Sequence, residues 1–452
     1  MSLLFLNGLM PERHECFIRT LSRSHTLAAT RWGKLAGDPA LDVIDYMDDS
    51  RLQGSPELAA LPALVVAQMR VLADSLAADL GANPLAPRAD QPLTPAEIND
   101  LVRPRVERLL LEQLRFRRFA QEHQVGMVIS GSDFSSHSRI IARTARALGI
   151  PTLDVEHGFF FSRLAGDWCR TRGRMPLMFT SEYVNLDNAL EVELLGHEQD
   201  LFLPRDPDRR VTFLGLGTPI DTVAHQSLPR EQALAALGLD PSRLQVLLGG
   251  SWIEARSVQK LLGAQVDVMD LYVDLFRSLA ESELRHRMQL TIKLHPADTR
   301  PDVLPGVTAA ITRLAADCGL PCPLILSDRL AEAMSACDLL MATSFSSVLY
   351  DAFMMGKPSL VVFPRYLVFS ADDRWRTECT LPLQAGVCEA AVDGADAWRR
   401  AGAWLDPARR ERFVRDREAF SRRYGLIDRP VQEKCEAIAA WIATQLVARP
   451  GA

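Results

Sequence analysis

Lys293 and His295 stand two residues apart in Gln289-Leu-Thr-Ile-Lys-Leu-His-Pro-Ala-Asp298, where an apolar strand pattern runs straight into polar residues. Alternate residues of a strand share a face, so this cation and imidazole meet near the strand's carboxyl end, and Pro296 stops the strand there. Such a pair suits a pyrophosphate or a departing nucleotide. The plainer reading is a surface lysine and a histidine satisfied by loop backbone. A second strand-to-polar junction lies in Asp338-Leu-Leu-Met-Ala-Thr-Ser-Phe-Ser-Ser-Val-Leu-Tyr-Asp351. Ser344, Ser346 and Ser347 open a helix there, and the unpaired N–H groups and dipole of a helix start favour an anion. Serines also cap helices for purely structural reasons. Gly250 and Ser251, after the apolar run 244–248, are further candidates for phosphate contact.

Earlier in the chain two strand ends deliver Ser130-Gly131-Ser132-Asp133 and Glu156-His157-Gly158 to one sheet edge. His157, with Glu156 beside it and Gly158 allowing a close backbone approach, could take a proton from an acceptor hydroxyl. Asp133 is the second candidate base, and Ser130, Gly131, Glu156 and Gly158 are expected on the acceptor side. His14, His25, His123, His197, His225 and His286 lack such context and read as surface or packing residues.

These residues need a scaffold that ends parallel strands along a common edge. Short apolar runs alternate with helical stretches over 125–155 and again over 244–363, which predicts an α/β protein with doubly covered parallel sheets. The expected domains are 1–220, Rossmann-like and acceptor-binding; 240–390, Rossmann-like and nucleotide-binding; and 391–452, helices packing back across the domains. A polar connector of about 20 residues is expected after Gly215-Leu-Gly-Thr-Pro219-Ile-Asp221. A strand is expected near Leu177–Thr180, and Pro104 is expected to break the helices that begin at the Thr94-Pro-Ala-Glu97 capping box. The region 38–95 gives mixed signals.

The chain has 452 residues, 48% hydrophobic and 24% charged, the composition of an ordinary globular protein. A net charge of −6 argues against a general nucleic-acid binder. The eight cysteines show neither CxxC spacing nor a Cys/His cluster, so no metal site and no disulfide framework is expected. The start lacks a basic signal-peptide region, and no stretch approaches the ~20 apolar residues of a membrane span. A cytoplasmic protein is expected, with room for peripheral contact with the inner membrane through its Arg-rich helices after 390.

The order His157-Gly158, Gly217-x-Pro219-x-Asp221, Lys293-Leu-His295-Pro296 and Ser344-x-Ser346-Ser347 with Gly356-Lys357-Pro358 resembles the GT-B fold enzymes of bacterial surface polysaccharides. It is most similar to capsule polysaccharide biosynthesis proteins and to the CDP-glycerol glycerophosphotransferases of teichoic acid synthesis. The resemblance implies two facing Rossmann-like domains, a nucleotide-sugar donor bound mainly by the second, a glycan or lipid-linked acceptor, and neither cofactor nor essential metal. It assigns His157 as base, Lys293 and His295 to donor phosphate or leaving group, and the three serines to a phosphate cradle. Teichoic acid enzymes read Trp-His-Gly-Thr and Asp-Tyr-Ser-Ser where this chain has Glu156-His157-Gly158-Phe159 and Thr343-Ser344-Phe345-Ser346-Ser347, which leans toward a sugar transferase. The expected function is an inverting, metal-independent glycosyltransferase. The alternatives are an NDP-sugar 2-epimerase-like enzyme, which shares the fold, and a non-catalytic GT-B binding protein.

Overall fold

The structure is a computed structural model. It describes the chain except at residues 1, 10, 31–34, 47–51, 83–94, 132–135, 156–179, 188–191, 193–210, 221–222, 250–267, 344–346, 363–385, 425–428 and 449–452. The chain divides into two compact units, with the crossing at Ile220/Asp221 and the return at Asp428/Arg429.

The first unit is built on seven strands: β1 (Leu3–Asn7), β2 (Thr26–Ala29), β3 (Val43–Ile44), β4 (Val125–Ser130), β5 (Thr152–Val155), β6 (Tyr183–Asn185) and β7 (Thr212–Leu214). They form one parallel sheet in the order β3-β2-β1-β4-β5-β6-β7. Helix α1 (Pro11–Ser22) follows β1; α2 (Pro56–Ala82) and α3 (Pro95–His123) precede β4; and α4 (Ser136–Ala147) joins β4 to β5. Every residue of β1 and β5 is buried, as expected for strands covered on both faces. On one face Phe5, Tyr46, Phe116 and Phe119 pack edge to face with Val128 and Ile141. The other face packs against α1 and the last helix.

The second unit has six strands: β8 (Leu244–Gly249), β9 (Met288–Lys293), β10 (Leu324–Leu326), β11 (Leu339–Ala342), β12 (Ser359–Val362) and β13 (Glu389–Ala391). Their order is β10-β9-β8-β11-β12-β13, again all parallel. The helices are α5 (Arg230–Leu237), α6 (Val268–Glu281), α7 (Leu304–Asp317), α8 (Leu330–Ala336), α9 (Ser347–Met354), α10 (Gly394–Ala403) and α11 (Pro407–Tyr424). The last helix, α12 (Val431–Ala448), belongs to the first unit, where Cys435, Ile438 and Ile442 are fully buried. Each isoleucine contributes about 1.5–3 kcal/mol by leaving water.

Two expectations are corrected. The connector after Asp221 is not wholly irregular: α5 lies within it, burying Ala233 and Leu234 and ending at Gly238 in the left-handed conformation. Pro104 does not break α3, which continues from Pro95 to His123 because tertiary packing along its second half outweighs one lost hydrogen bond. Of the strand expected near Leu177–Thr180, residues 177–179 lie outside the described residues and Thr180 is in no strand; the next strand, β6, spans Tyr183–Asn185. Of the helices after 391, α10 and α11 stay with the second unit and α12 returns to the first. Cys16, Cys318, Cys322, Cys337, Cys388 and Cys435 are free thiols, and burial pushes those of Cys337 and Cys388 up to about 12.

Candidate functional site

Both sheets run outward from their first strand and then return to place the fourth beside it, so each has one point where the strand order reverses. Open α/β sheets bind ligands in the crevice beyond the strand ends at that point. In the first unit the reversal lies between β1 and β4, whose register ends on Asn7 opposite Ser130. In the second it lies between β8 and β11, ending on Gly249 opposite Ala342.

The first reversal carries a buried polar knot. Asn7, fully buried, donates from Nδ2 to Ser130 Oγ at 3.1 Å and to the Ser138 carbonyl at 3.3 Å. This ties the ends of β1 and β4 to the first turns of α4. The Gly131 N–H donates to the Asn7 carbonyl, and a Cβ on Gly131 would lie 3.0 Å from the Gly8 carbonyl oxygen, so only glycine lets the two loops approach this closely. Ser130 and Gly131 thus occupy the crevice position. The expected bases Asp133 and His157, with Glu156 and Gly158, lie outside the described residues.

A second cluster sits near the same edge. Glu112 of α3, only 5% exposed, accepts from the Tyr46 hydroxyl at 2.5 Å and from Arg115 Nη1 at 2.6 Å. His137, in the first turn of α4, places Nε2 at 3.8 Å from the same carboxylate and leaves 43% of its side chain exposed. Burial, then the neighbouring Glu112 carboxylate, pushes the Tyr46 phenol well above its ordinary range, so it acts as a donor. An accessible imidazole backed by a buried carboxylate is chemically suited to proton transfer. Sequence reasoning missed this group: Tyr46 and Glu112 are 66 residues apart, and no spacing rule links them. Asn7 was findable by the strand-end rule that singled out Ser130.

In the second unit Lys293 ends β9, beside Gly249 in register. Its Nζ donates to the carbonyls of Leu294 at 2.7 Å and Ser327 at 3.0 Å, bracing the β9 and β10 ends. His295 follows, half-buried, and Pro296 opens a single turn that Thr299 closes through its hydroxyl. Ser347 begins α9 directly after β11, and the Thr343 N–H reaches back to the Gly249 carbonyl at 3.2 Å. Gly250, Ser251, Ser344 and Ser346 fall outside the described residues. Lys357 and Asp351 have structural partners: Lys357 donates to the carbonyls of Ser335 and Cys337 at the end of α8, and Asp351 accepts from the Val223 N–H. Among the described residues no group of three or more His, Cys, Asp or Glu is gathered to hold a metal.

No known family's sequence profile matches this chain, and no curated protein matches it. Solved structures do. A UDP-GlcNAc 2-epimerase from Neisseria meningitidis bound to UDP-GlcNAc superimposes with a TM-score of 0.53 at 13% identity, over 98% of this chain and 100% of its own. The wall teichoic acid polymerase TagF gives 0.50 at 10% identity, over 100% and 90%. Anabaena Alr3699/HepE in complex with UDP and glucose gives 0.50 at 12% identity, over 98% and 100%. At these identities the likeness establishes fold: two Rossmann-like domains with parallel sheets, as in GT-B glycosyltransferases and NDP-sugar epimerases.

Proposed function

We propose that the protein is an inverting, metal-independent glycosyltransferase that moves a sugar from a nucleotide donor to a surface-polysaccharide or lipid-linked acceptor. The observation that carries the reading is the pair of strand-order reversals, with Ser130 and Gly131 at one and the Gly249 and Thr343 ends at the other. In this reading the second unit holds the nucleotide. The N–H groups at the start of α9, with Ser344, Ser346, Ser347, Gly250 and Ser251, receive its phosphates. His295, with the Lys293 charge nearby, offsets the charge that grows on the departing diphosphate. The acceptor hydroxyl attacks the anomeric carbon as the bond to the nucleotide oxygen breaks, and its proton passes to a base on the first unit: His157, Asp133 or His137. A single displacement of this kind inverts the anomeric centre.

Neighbours solved with UDP-GlcNAc, or with UDP and glucose, support a nucleoside diphosphate donor. The test is a thermal-shift screen against CMP, CDP, UDP, GDP and ADP, repeated on His295→Ala. A ligand that binds only the native state raises its melting temperature. A shift with one nucleotide, reduced in the variant, is expected; no shift with any of them overturns the reading. The epimerase among the neighbours keeps one rival alive. Incubating the donor without acceptor separates the two, since an isomerised nucleotide sugar would make the protein an epimerase.

A further inference from the structure

Helix α11 carries seven arginines against three acids in eighteen residues, and one of those arginines reaches a helix that begins at the donor crevice. The start of α11 is fixed on its neighbours. Arg409 pairs with Glu389 of β13 and lies over the Trp404 ring, 4.7 Å from its centroid, while Arg410 Nε donates to the Trp404 carbonyl at 2.7 Å. Phe413 meets Trp404 edge to face. Two turns after Arg410, Arg417 turns inward. Its Nε donates to the Phe353 carbonyl at 2.6 Å and its Nη2 to the Met354 carbonyl at 2.9 Å. The guanidinium sits 5.6 Å from the centre of the Phe353 ring, which Phe420 closes edge to face.

Phe353 and Met354 are the last two residues of α9, where carbonyls have no acceptor role left inside the helix. A planar fork that donates to both at once holds the helix end in place and in orientation, which an ammonium would do less well. The other end of α9 starts directly after β11, beside the strand-order reversal. Its first turn packs closely there: a Cβ on Gly249, the last residue of β8, would lie 3.6 Å from Val348 Cγ1. Eight residues span ~12 Å, barely two turns, so α9 relies on what grips it from outside. Asp351, midway along, takes the Val223 N–H at 3.2 Å, and Arg417 holds the end. A cation at a helix C-terminus also offsets the negative end of the dipole, leaving the positive end to face an anion.

We propose that Arg417 is a positioning residue for the donor diphosphate, acting through α9 without touching the nucleotide. The inference rests on the reading of the second unit as the donor-binding one. It gives α11 a part in that site: a brace that runs from the β13 edge to the far end of the helix whose N–H groups receive phosphate.

CDP, UDP, GDP and ADP are titrated calorimetrically into the full-length protein, and whichever binds is titrated into four variants well below their melting temperatures. Arg417→Met should weaken binding by about five- to tenfold. Arg417→Lys keeps the charge but not the fork and should fall between Arg417→Met and the wild type. Trp398→Phe removes the Nε1 bond to the Leu275 carbonyl, between α10 and α6 of the same unit, and should lower the melting temperature while leaving affinity unchanged. Arg415→Gln, exposed on α11, should change neither. Wild-type affinity in Arg417→Met overturns the inference and leaves the donor reading standing. Equal losses of affinity in Trp398→Phe and Arg417→Met also overturn it, because affinity would then only follow stability. Should Arg417→Met not fold, Arg417→Lys decides, and wild-type affinity there overturns the inference. Failure of all four diphosphates to bind the wild type would instead overturn the donor reading, and this inference with it.

Discussion

Glu112 is a carboxylate almost without water, and it remains there because its oxygens receive the Tyr46 hydroxyl and the Arg115 guanidinium. Hydrogen bonds to charged groups contribute more than neutral ones, so Tyr46→Phe should destabilise the first unit by about 1.5–3 kcal/mol, read from urea unfolding. A change within error would mean the carboxylate is served by Arg115 alone. His25 poses the opposite problem. Burial lowers its pKa from 6.5, and its Nδ1 has no hydrogen-bond partner. Above pH ~6.5 it is neutral in both states and its contribution to stability is complete. As pH falls through the lowered folded value, the unfolded chain takes the proton first and stability drops. His25→Gln should flatten that acid limb; an unchanged limb would place the titration elsewhere.

Where the chain leaves the first unit, short elements hold the connector in one path. Asn185 of β6 accepts from the Leu216 N–H and donates to the Gly217 carbonyl at 2.7 Å, while Asp187 accepts from the Thr218 N–H. Gly217 has φ +100°, and a Cβ there would lie 2.7 Å from Lys434 Cγ. Gly217→Ala should therefore cost about 1–3 kcal/mol or more in the first unit, again by urea unfolding; a neutral result would show that α12 does not grip the connector. Elements of this kind explain what the sequence reveals and conceals. Strands such as Leu339–Ala342 are continuous apolar runs bounded by polar residues and are legible as buried parallel strands. The two-residue β3, the Ala-rich β2 and the three-residue β13 carry too little pattern, and α5 hides among polar neighbours. Within the site, strand ends pointed to Ser130, Lys293 and His295. Contacts made across folded layers, as at Glu112 and His137, leave no periodic trace.

Two cores in one chain should melt as two transitions, and the return of α12 makes them separable. Lys434, 2% exposed in its side chain, donates to Asp187 at 3.3 Å, and Arg429 donates to the Leu216 carbonyl at 2.8 Å. Both partners are in the first unit, so the segment that crosses back is anchored there by a buried charge pair. Removing one member of such a pair strands the other away from water and costs about 3–5 kcal/mol. Lys434→Ala should lower the first unit's transition in calorimetry and leave the second unit's in place. Adding Asp187→Asn should restore part of the loss, because the stranded charge is gone. The nucleotide identified by thermal shift should do the reverse, raising the second unit's transition alone, because binding stabilises only the fold that holds the ligand. If Lys434→Ala and the nucleotide each moved both transitions together, the units would unfold as one, and neither the anchoring role of α12 nor the assignment of the donor to the second unit would stand.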